Sequence, residues 1–242
     1  MKPLGRKNYG SIPHLLTSKL GVGDHHIHEG QHKILTVKKR DKRDTVIVTQ
    51  KYDGSNVGVA KKNGEIIALS RSGYPAHTSS YFQHHLFHDY VQEYKTKFDN
   101  ILNEGERICG EWMAQVHSLK YKVLTDHELF MAFDLFTSGN ERVLQDELHS
   151  RCLDSDIFEV EIIHNGEAIP IKDAYKKASG ANGLTTFTKC LDKPEGVVYR
   201  IERKGKVDFL AKWVRSDFIQ GQHMIDKEIH QLLWNNKKWR WQ

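Results

Sequence analysis

A lysine that directly follows a β-branched segment is the residue of this chain best suited to nucleophilic chemistry. Residues 45–50 read Thr-Val-Ile-Val-Thr-Gln, which predicts a strand, and Lys51-Tyr-Asp-Gly-Ser-Asn56 follows. An amine attacks only when neutral, and an ordinary lysine pKa of about 10.4 leaves roughly 0.1% of it neutral at physiological pH. Lys51 therefore needs burial or nearby positive charge to lower its pKa.

The Lys-x-Asp-Gly pattern alone also fits a hairpin corner with an exposed lysine. The segments that follow it in the sequence decide between this interpretation and a nucleophilic lysine. Gly54 would let the backbone approach a ligand closely. Five further short segments follow in order: Ser70-Arg71-Ser-Gly, Cys109-Gly-Glu111-Trp, Phe130-Met-Ala-Phe133-Asp134-Leu-Phe, Glu195-Gly-Val-Val-Tyr-Arg200 and Phe209-Leu-Ala-Lys212-Trp.

This ordered series resembles the covalent nucleotidyltransferase superfamily of ATP-dependent DNA ligases, RNA ligases and mRNA capping enzymes. The likeness is strongest to RNA ligases of the T4 RNA ligase 2 type. Those read Lys-x-x-Gly-x-Asn at the nucleophile, as Lys51, Gly54 and Asn56 do here, whereas DNA ligases usually carry arginine at the position of Asn56. The stretch from Tyr9 to His14 is also similar to the lead-in of some RNA ligase relatives.

The resemblance implies an ATP-dependent RNA ligase that works in three steps. Lys51 attacks the α-phosphate of ATP and forms lysyl-AMP, AMP passes to a 5′-phosphate end, and a 3′-hydroxyl then displaces AMP. ATP and Mg²⁺ are the implied cofactors, RNA is the implied partner, with DNA or hybrid ends as alternatives, and RNA repair is the implied role. Other interpretations stay open: a small ATP-dependent DNA ligase, a guanylyltransferase, or a non-catalytic nucleotide- or nucleic-acid-binding module.

The resemblance also assigns roles to individual side chains. Lys212 contacts the α-phosphate, and its charge would lower the pKa of Lys51. Glu111 accepts hydrogen bonds from the ribose hydroxyls, which suits a group that only accepts. Glu195 orients Mg²⁺ or its waters, because that ion keeps much of its water and needs few carboxylates.

The remaining candidates surround the nucleotide in this interpretation. Phe133 stacks on the base, although a phenylalanine in such a run is more often an ordinary core residue. Arg71 reaches the ribose or the end phosphate, and Gln50 contacts the purine through its backbone. Asn56 aligns the sugar or the AMP phosphate during sealing. Asp53 and Gly54 complete the nucleotide-binding set.

One cation of the family pattern is missing. The strand around Lys212 often carries Lys-x-Lys in relatives, but here Leu210 and Val214 flank Lys212 at two-residue spacing. We therefore expect Arg215 or Lys206 to supply the second positive charge if the site needs one.

The elements that must position these residues alternate strands with helices. Strands are predicted at 34–37, 45–50, 56–60, 65–70, 107–115, 129–136, 156–163, 196–202 and 207–214, with helices at 81–101 and 217–234. This order favours an α+β fold, with antiparallel sheets flanked by helices around a nucleotide cleft.

We expect one nucleotidyltransferase domain over residues 1–242. Residues 1–50 are its N-terminal extension, 51–216 its motif-bearing core, and 217–242 a helical tail in which basic and aromatic residues alternate. That tail could contact nucleic acid or dock its tryptophans on the domain. Only 30 residues follow Lys212 (242 minus 212), too few for the additional C-terminal domain of many relatives.

Composition sets broad limits and agrees with a nucleic-acid partner. The 242 residues are 38% hydrophobic and 28% charged, typical of a globular protein, and carry a net charge of +5. Three widely spaced cysteines form no CxxC pair, and no apolar run suits a signal or a membrane span, so we expect a cytoplasmic protein with no membrane partner and no obligate protein partner. The histidines between 25 and 32 lack metal-site spacing and favour a polar loop over the active site.

Overall fold

The computed structural model describes residues 1–123, 125–180 and 189–240. In chain order the elements are α1 (Glu29–Thr36), β1 (Thr45–Lys51), β2 (Ser55–Lys62), β3 (Glu65–Ser70), α2 (Phe82–Glu93), α3 (Lys95–Ile101), β4 (Arg107–Trp112), β5 (Tyr121–Lys122), β6 (Phe130–Phe136), α4 (Gln145–Asp154), β7 (Ile162–Gly166), α5 (Ile171–Gly180), β8 (Lys189–Cys190), β9 (Gly196–Arg203) and β10 (Lys206–Val214). Short 3₁₀ turns lie at Ala76–Thr78, Asp126–Leu129 and Ile229–Gln231.

Two four-stranded antiparallel sheets organise the molecule, which confirms the predicted α+β class. The first sheet has the order β10-β9-β1-β7 and the second β3-β2-β4-β6. The small pair β5-β8 is separate. Among the described residues, no helix combines the length and the apolar composition needed to cross a membrane.

Each sheet buries one face against its own helices. The first sheet packs against α1 and α5, and its core includes Val46, Val48 and Tyr199. The second sheet packs against α2 and α3, and its core is rich in aromatic side chains such as Phe87, Trp112 and Phe130. The alternation of side chains along each strand turns the other faces toward a common cleft.

The predicted tail helix at 217–234 is wrong. Residues 217–228 form turns, and only Ile229–Gln231 has helical geometry. Gly221 and Asp226 have backbone φ angles of +69° and +55°, which the interior of a right-handed helix does not tolerate. The apolar spacing was therefore misleading, and Ile225 is 58% exposed.

The end of the described tail docks on the second sheet's core. The Trp239 ring is buried, with its centroid 5.6 Å from that of Tyr90 and 6.4 Å from that of Trp112. Lys238 pairs with Glu93 at 2.5 Å. Of the two interpretations of the tail, docking of a tryptophan on the domain therefore holds for Trp239. Lys237 and Arg240 are exposed, and Trp241 lies outside the described residues.

Other element predictions also failed. Residues 34–37 do not form a strand but lie at the end of α1, which is stabilised at its start by reciprocal hydrogen bonds between His28 and Gln31. Helices α4 and α5 were not predicted. The strand expected at 156–163 lies later, at Ile162–Gly166.

A buried ion cluster around Asp134 joins the two sheets. Asp134 in β6 is fully buried and accepts hydrogen bonds from Arg200 of β9 at 2.7 Å and from Arg142 at 2.8 Å. The Tyr9 hydroxyl donates to the same carboxylate at 2.6 Å. One carboxylate therefore connects both sheets and the N-terminal segment.

We expect Asp134→Asn to destabilise the protein strongly. It removes the charge that Arg142 and the buried Arg200 share, at nearly unchanged side-chain volume, and leaves Arg200 with Glu202 as its remaining ion-pair partner. Breaking a buried pair typically costs about 3–5 kcal/mol. Urea unfolding measures the change. Glu141→Gln is the matched control, since the Glu141–Lys206 pair is exposed and its loss should leave the free energy of unfolding nearly unchanged. Equal midpoints for all three proteins would contradict the structural role of Asp134.

Candidate active site

The faces of the two sheets that lie away from their helices enclose a cleft of about 890 Å³. All ten residues proposed from the sequence line it: Gln50, Lys51, Asp53, Gly54, Asn56, Arg71, Glu111, Phe133, Glu195 and Lys212. Strands β1, β9 and β10 supply one wall, and β2, β4 and β6 supply the other. The structure thus brings the predicted set together, while the role of each residue stays a prediction.

Strand register places the lysine nucleophile candidate beside a carboxylate. Lys51, at the end of β1, lies opposite Gly196, and Glu195 directly precedes that glycine. The Lys51 Nζ atom donates to Glu195 Oε2 at 2.9 Å. A Cβ at position 196 would lie 1.8 Å from the Trp213 carbonyl oxygen, so only glycine allows β9 and β10 to approach this closely.

The carboxylates around Lys51 decide its protonation. Burial alone would lower the pKa of Lys51, but the negative charges of Glu195, Glu111 and Asp53 together raise that pKa above its ordinary value. These carboxylates outweigh the lowering effect predicted for Lys212. Repulsion between the two ammonium groups is mutual, and burial together with the charge of Lys51 lowers the pKa of Lys212.

Glu111 faces the cleft from β4 as a buried carboxyl group. Its Oε1 atom accepts a hydrogen bond from the Gly54 N–H at 3.1 Å. Burial raises the pKa of Glu111 to about 7, with Lys51 opposing the rise and Glu195 adding to it. A Cβ at position 54 would lie 2.5 Å from the Trp112 carbonyl oxygen, so Gly54 is required by the close passage of β4.

Asn56 presents an unpaired acceptor to the cleft. It lies opposite Glu111 in the β2–β4 pairing. Its Oδ1 atom is buried and has no hydrogen-bond partner among the described residues. Since a buried acceptor without a partner is costly, a ligand group that donates to Asn56 would recover that free energy.

Asp53 and Gln50 are already engaged by the backbone. Asp53 Oδ2 accepts from the N–H groups of Ser118 and Leu119 at 2.7 and 2.9 Å, so this carboxylate anchors the loop after β4. The Gln50 N–H donates to the Glu161 carbonyl at 3.1 Å. That N–H is therefore committed to strand pairing, and it is not the backbone group available to a purine.

Phe133 and Arg71 lie nearer the N-terminal segment. The half-buried Phe133 ring meets Tyr9 edge-on, with centroids 5.0 Å apart, so it is both a packing residue and part of the cleft wall. Arg71 is exposed at the rim and donates to Ser11 Oγ at 3.1 Å. Its guanidinium is thus accessible to an anionic group that enters the cleft.

Neither of the two residues suggested as the second cation lines the cleft. Lys206 is at the far end of β10 and pairs with Glu141, whereas Arg215 pairs with Asp217 at 2.9 Å. Lys19 lines the cleft instead, and its backbone N–H donates to the Val214 carbonyl at 3.0 Å. The N-terminal segment therefore brings a lysine close to the position where the strand itself has valine.

Several cleft residues were missed by sequence reasoning. His14, Asp24, His84 and His117 line the cleft, and so do residues 19–23. The histidines of 25–32, expected to form a polar loop over the active site, do not line the cleft, whereas residues 19–24 do. Burial lowers the pKa of His84 to about 4. The only sequence signal was the stretch from Tyr9 to His14.

Glu195 is the residue that suits a divalent cation. Among the described residues, no group of three or more His, Cys, Asp or Glu side chains is arranged to hold a metal ion. A single buried carboxylate that faces the cleft fits Mg²⁺, provided that phosphate oxygens and water complete its shell. Such an ion would compete with Lys51 for Glu195.

Comparison with known proteins agrees with this geometry. An archaeal ATP-dependent RNA ligase is similar to the chain, with a TM-score of 0.51 and 18% identity over 85% of this chain and 48% of that one. A Naegleria gruberi RNA ligase with pyrophosphate gives a TM-score of 0.48 and 20% identity over 72% of this chain and 50% of that one. The chain thus spans about half the length of these structures. No curated protein sequence matches.

A sequence-family model agrees with the structural likeness. The model described as RNA ligase matches residues 44–214, a segment that begins just before β1 and ends with β10. It therefore contains Lys51 and the other nine site residues proposed from the sequence, while Phe218, Gln220, Gly221 and Met224 of the cleft lining follow it. Since the match covers more than half of the chain, this protein belongs to the RNA ligase family.

Proposed function

We propose that this protein is an ATP-dependent RNA ligase that joins 5′-phosphate and 3′-hydroxyl ends through a lysyl-AMP intermediate. The observation that carries the proposal is the placement of Lys51 in a cleft between two sheets, 2.9 Å from Glu195 and on the same wall as Lys212. Family membership supports the same chemistry. The presence of Lys51, Glu111, Glu195 and Lys212 together in the cleft speaks against a binding module without catalysis.

In the first step a bond forms between Lys51 Nζ and the α-phosphorus of ATP, and the bond from phosphorus to the pyrophosphate oxygen breaks. Lys212 is positioned to neutralise the phosphate, because it lies in the row of cleft-facing residues formed with Val198 and Thr49. Phosphoryl transfer depends mainly on such positioning and charge neutralisation.

Lys51 must lose its proton before it attacks. In the structure Glu195 stabilises the ammonium form and therefore opposes that loss. Glu195 could hold a divalent cation, whose positive charge would offset that of the carboxylate and thereby lower the pKa of Lys51. Glu195 is thus the residue through which the protonation of Lys51 responds to the charge of the bound substrate.

The other wall would hold the nucleoside. Glu111 can accept from the ribose hydroxyls when it is ionised, and Asn56 Oδ1 is an acceptor without a partner in the part of the chain that the structure describes. Phe133 would stack on the base, a contact worth about 1–3 kcal/mol. Arg71 at the rim would meet the phosphate of the RNA end.

The covalent step gives the first prediction of this proposal. Protein mixed with ATP and Mg²⁺ should gain the mass of one AMP on Lys51, and Lys51→Ala should gain none. Intact mass spectrometry with peptide mapping measures this. Lys62→Ala, at the outer end of the β2–β3 hairpin, is the control and should label normally. AMP on another residue would overturn the proposal.

Parallel assays that replace ATP by GTP, and that offer RNA or DNA ends, test which nucleotide and which nucleic acid the protein uses.

Asn56 should separate the steps of the reaction. Asn56→Ala should still form lysyl-AMP but seal pre-adenylylated RNA about tenfold to a thousandfold more slowly, the scale of one lost transition-state hydrogen bond. Lysine labelling and sealing are measured on the same variant. If Asn56 only stabilises the turn after Gly54, both rates should instead fall together because Lys51 is misplaced.

Glu111 should make stability fall as pH rises. Its folded-state pKa of about 7 exceeds the unfolded value of about 4.3, so the folded protein binds the extra proton between these pH values. The stabilisation is complete below the unfolded pKa and is lost as pH rises through the folded one, by at most about 1.4 kcal/mol per pH unit. Urea unfolding from pH 5 to 8 should show a shallower slope for Glu111→Gln. If wild type and Glu111→Gln lose stability equally with rising pH, the pKa of Glu111 is not raised by folding.

A further inference from the structure

The N-terminal segment forms an additional edge next to β10. The Lys212 N–H donates to the Pro13 carbonyl at 2.9 Å, and the Leu15 N–H donates to the Lys212 carbonyl at 2.8 Å. Two residues further along β10, the Lys19 N–H donates to the Val214 carbonyl at 3.0 Å. Residues 13–19 therefore run beside the same part of the strand that carries Lys212.

Side chains of this segment form a continuous chain of contacts that ends at the Lys212 ammonium. The Val214 N–H donates to Ser18 Oγ at 2.9 Å, and Ser18 Oγ lies 2.7 Å from His14 Nδ1. The other ring nitrogen, His14 Nε2, lies 2.9 Å from Asp24 Oδ2. Asp24 Oδ1 is then 3.7 Å from Lys212 Nζ.

The hydrogen bonds among Ser18, His14 and Asp24 all run in the same direction, from Ser18 toward Asp24. An ionised Asp24 only accepts, so His14 Nε2 carries the hydrogen of that contact, and in a neutral ring His14 Nδ1 is then an acceptor for the Ser18 hydroxyl. His14 Nε2–H donates to Asp24. Burial and the charge of Lys212 lower the pKa of His14, which agrees with a neutral ring.

We propose that Asp24, oriented by His14 and Ser18, is a positioning residue that fixes the Lys212 ammonium in the cleft. The inference rests on the proposed function, in which Lys212 contacts the α-phosphate. Lys212 needs such support because its stem is long and flexible, and because Leu210 and Val214, its neighbours on the same face of β10, carry no charge. On the cleft-facing side of β10, Lys212 is therefore the cation whose position matters for neutralising the phosphate.

A carboxylate in this position has opposite effects on affinity and on rate. Its negative charge repels the triphosphate, so it weakens the binding of ATP. Its hold on Lys212 places the ammonium where charge is neutralised during transfer, which favours the chemical step. A residue that merely supported the fold would not separate these two quantities.

The test measures the single-turnover rate of lysyl-AMP formation across ATP concentrations. Asp24→Asn keeps the size of the side chain and removes the charge. We expect the rate at saturating ATP to fall roughly 10- to 100-fold, the scale of a misplaced catalytic group, while the half-saturating ATP concentration stays equal or falls. Asp208→Asn is the matched control, because Asp208 lies on the same strand but pairs with Arg40 outside the cleft, and it should change neither value.

A double variant tests whether Asp24 acts through Lys212. Adding Asp24→Asn to Lys212→Ala should cause no further loss of rate, whereas multiplied losses would overturn the inference. If Lys212→Ala is slow but Asp24→Asn is as fast as wild type, this inference fails and the proposed function stands. If Lys212→Ala is as fast as wild type, this inference fails and the proposed function stands, whereas both fail if wild type forms no lysyl-AMP.

Ser18→Ala provides a second route if Asp24→Asn does not fold. It removes the hydroxyl that orients His14 and leaves the carboxylate in place. The rate at saturating ATP should fall by a smaller factor, with half-saturation unchanged. A rise in the half-saturating ATP concentration with no loss of maximal rate would overturn the inference.

Discussion

The buried Asp134 carboxylate is the constraint on which the cleft depends. Each sheet has a core on its outer side, and the facing surfaces carry the polar and charged residues of the site. Apolar burial stabilises each sheet and joins the two at Val214 of β10, which belongs to the core of the second sheet. Between the facing surfaces, Arg200 of β9 donates to Asp134 of β6 and joins the sheets directly, while Arg142 and Tyr9 donate to the same carboxylate. Because these groups share one carboxylate, the arrangement has little freedom.

Within that frame the cleft balances opposite charges. Lys51, Lys212 and Arg71 share the cleft with Glu111 and Glu195, so the two carboxylates offset part of the repulsion among the three cations. The negative charges around Lys51 raise its pKa and favour its protonated form. A change in the charge of these carboxylates would therefore change the protonation of Lys51.

The N-terminal segment is part of the site rather than an appendage. It contributes Tyr9 to the Asp134 cluster and Asp24 to the surroundings of Lys212. It also places Lys19 beside Val214, where the strand carries no charge of its own. The family model begins only at residue 44, so this contribution lies outside the segment by which the family is identified.

The sequence by itself predicted most of the strands that form the cleft and, through the family resemblance of its short motifs, ten of the residues that line it, because strand periodicity and short motifs are local signals. It failed for the tail, where positive φ angles at Gly221 and Asp226 override an apolar spacing. It also gave no sign that carboxylates would raise the pKa of Lys51. Only the tertiary structure places Glu195, 144 positions away, at 2.9 Å from that amine, and electrostatic effects depend on such distances rather than on residue type.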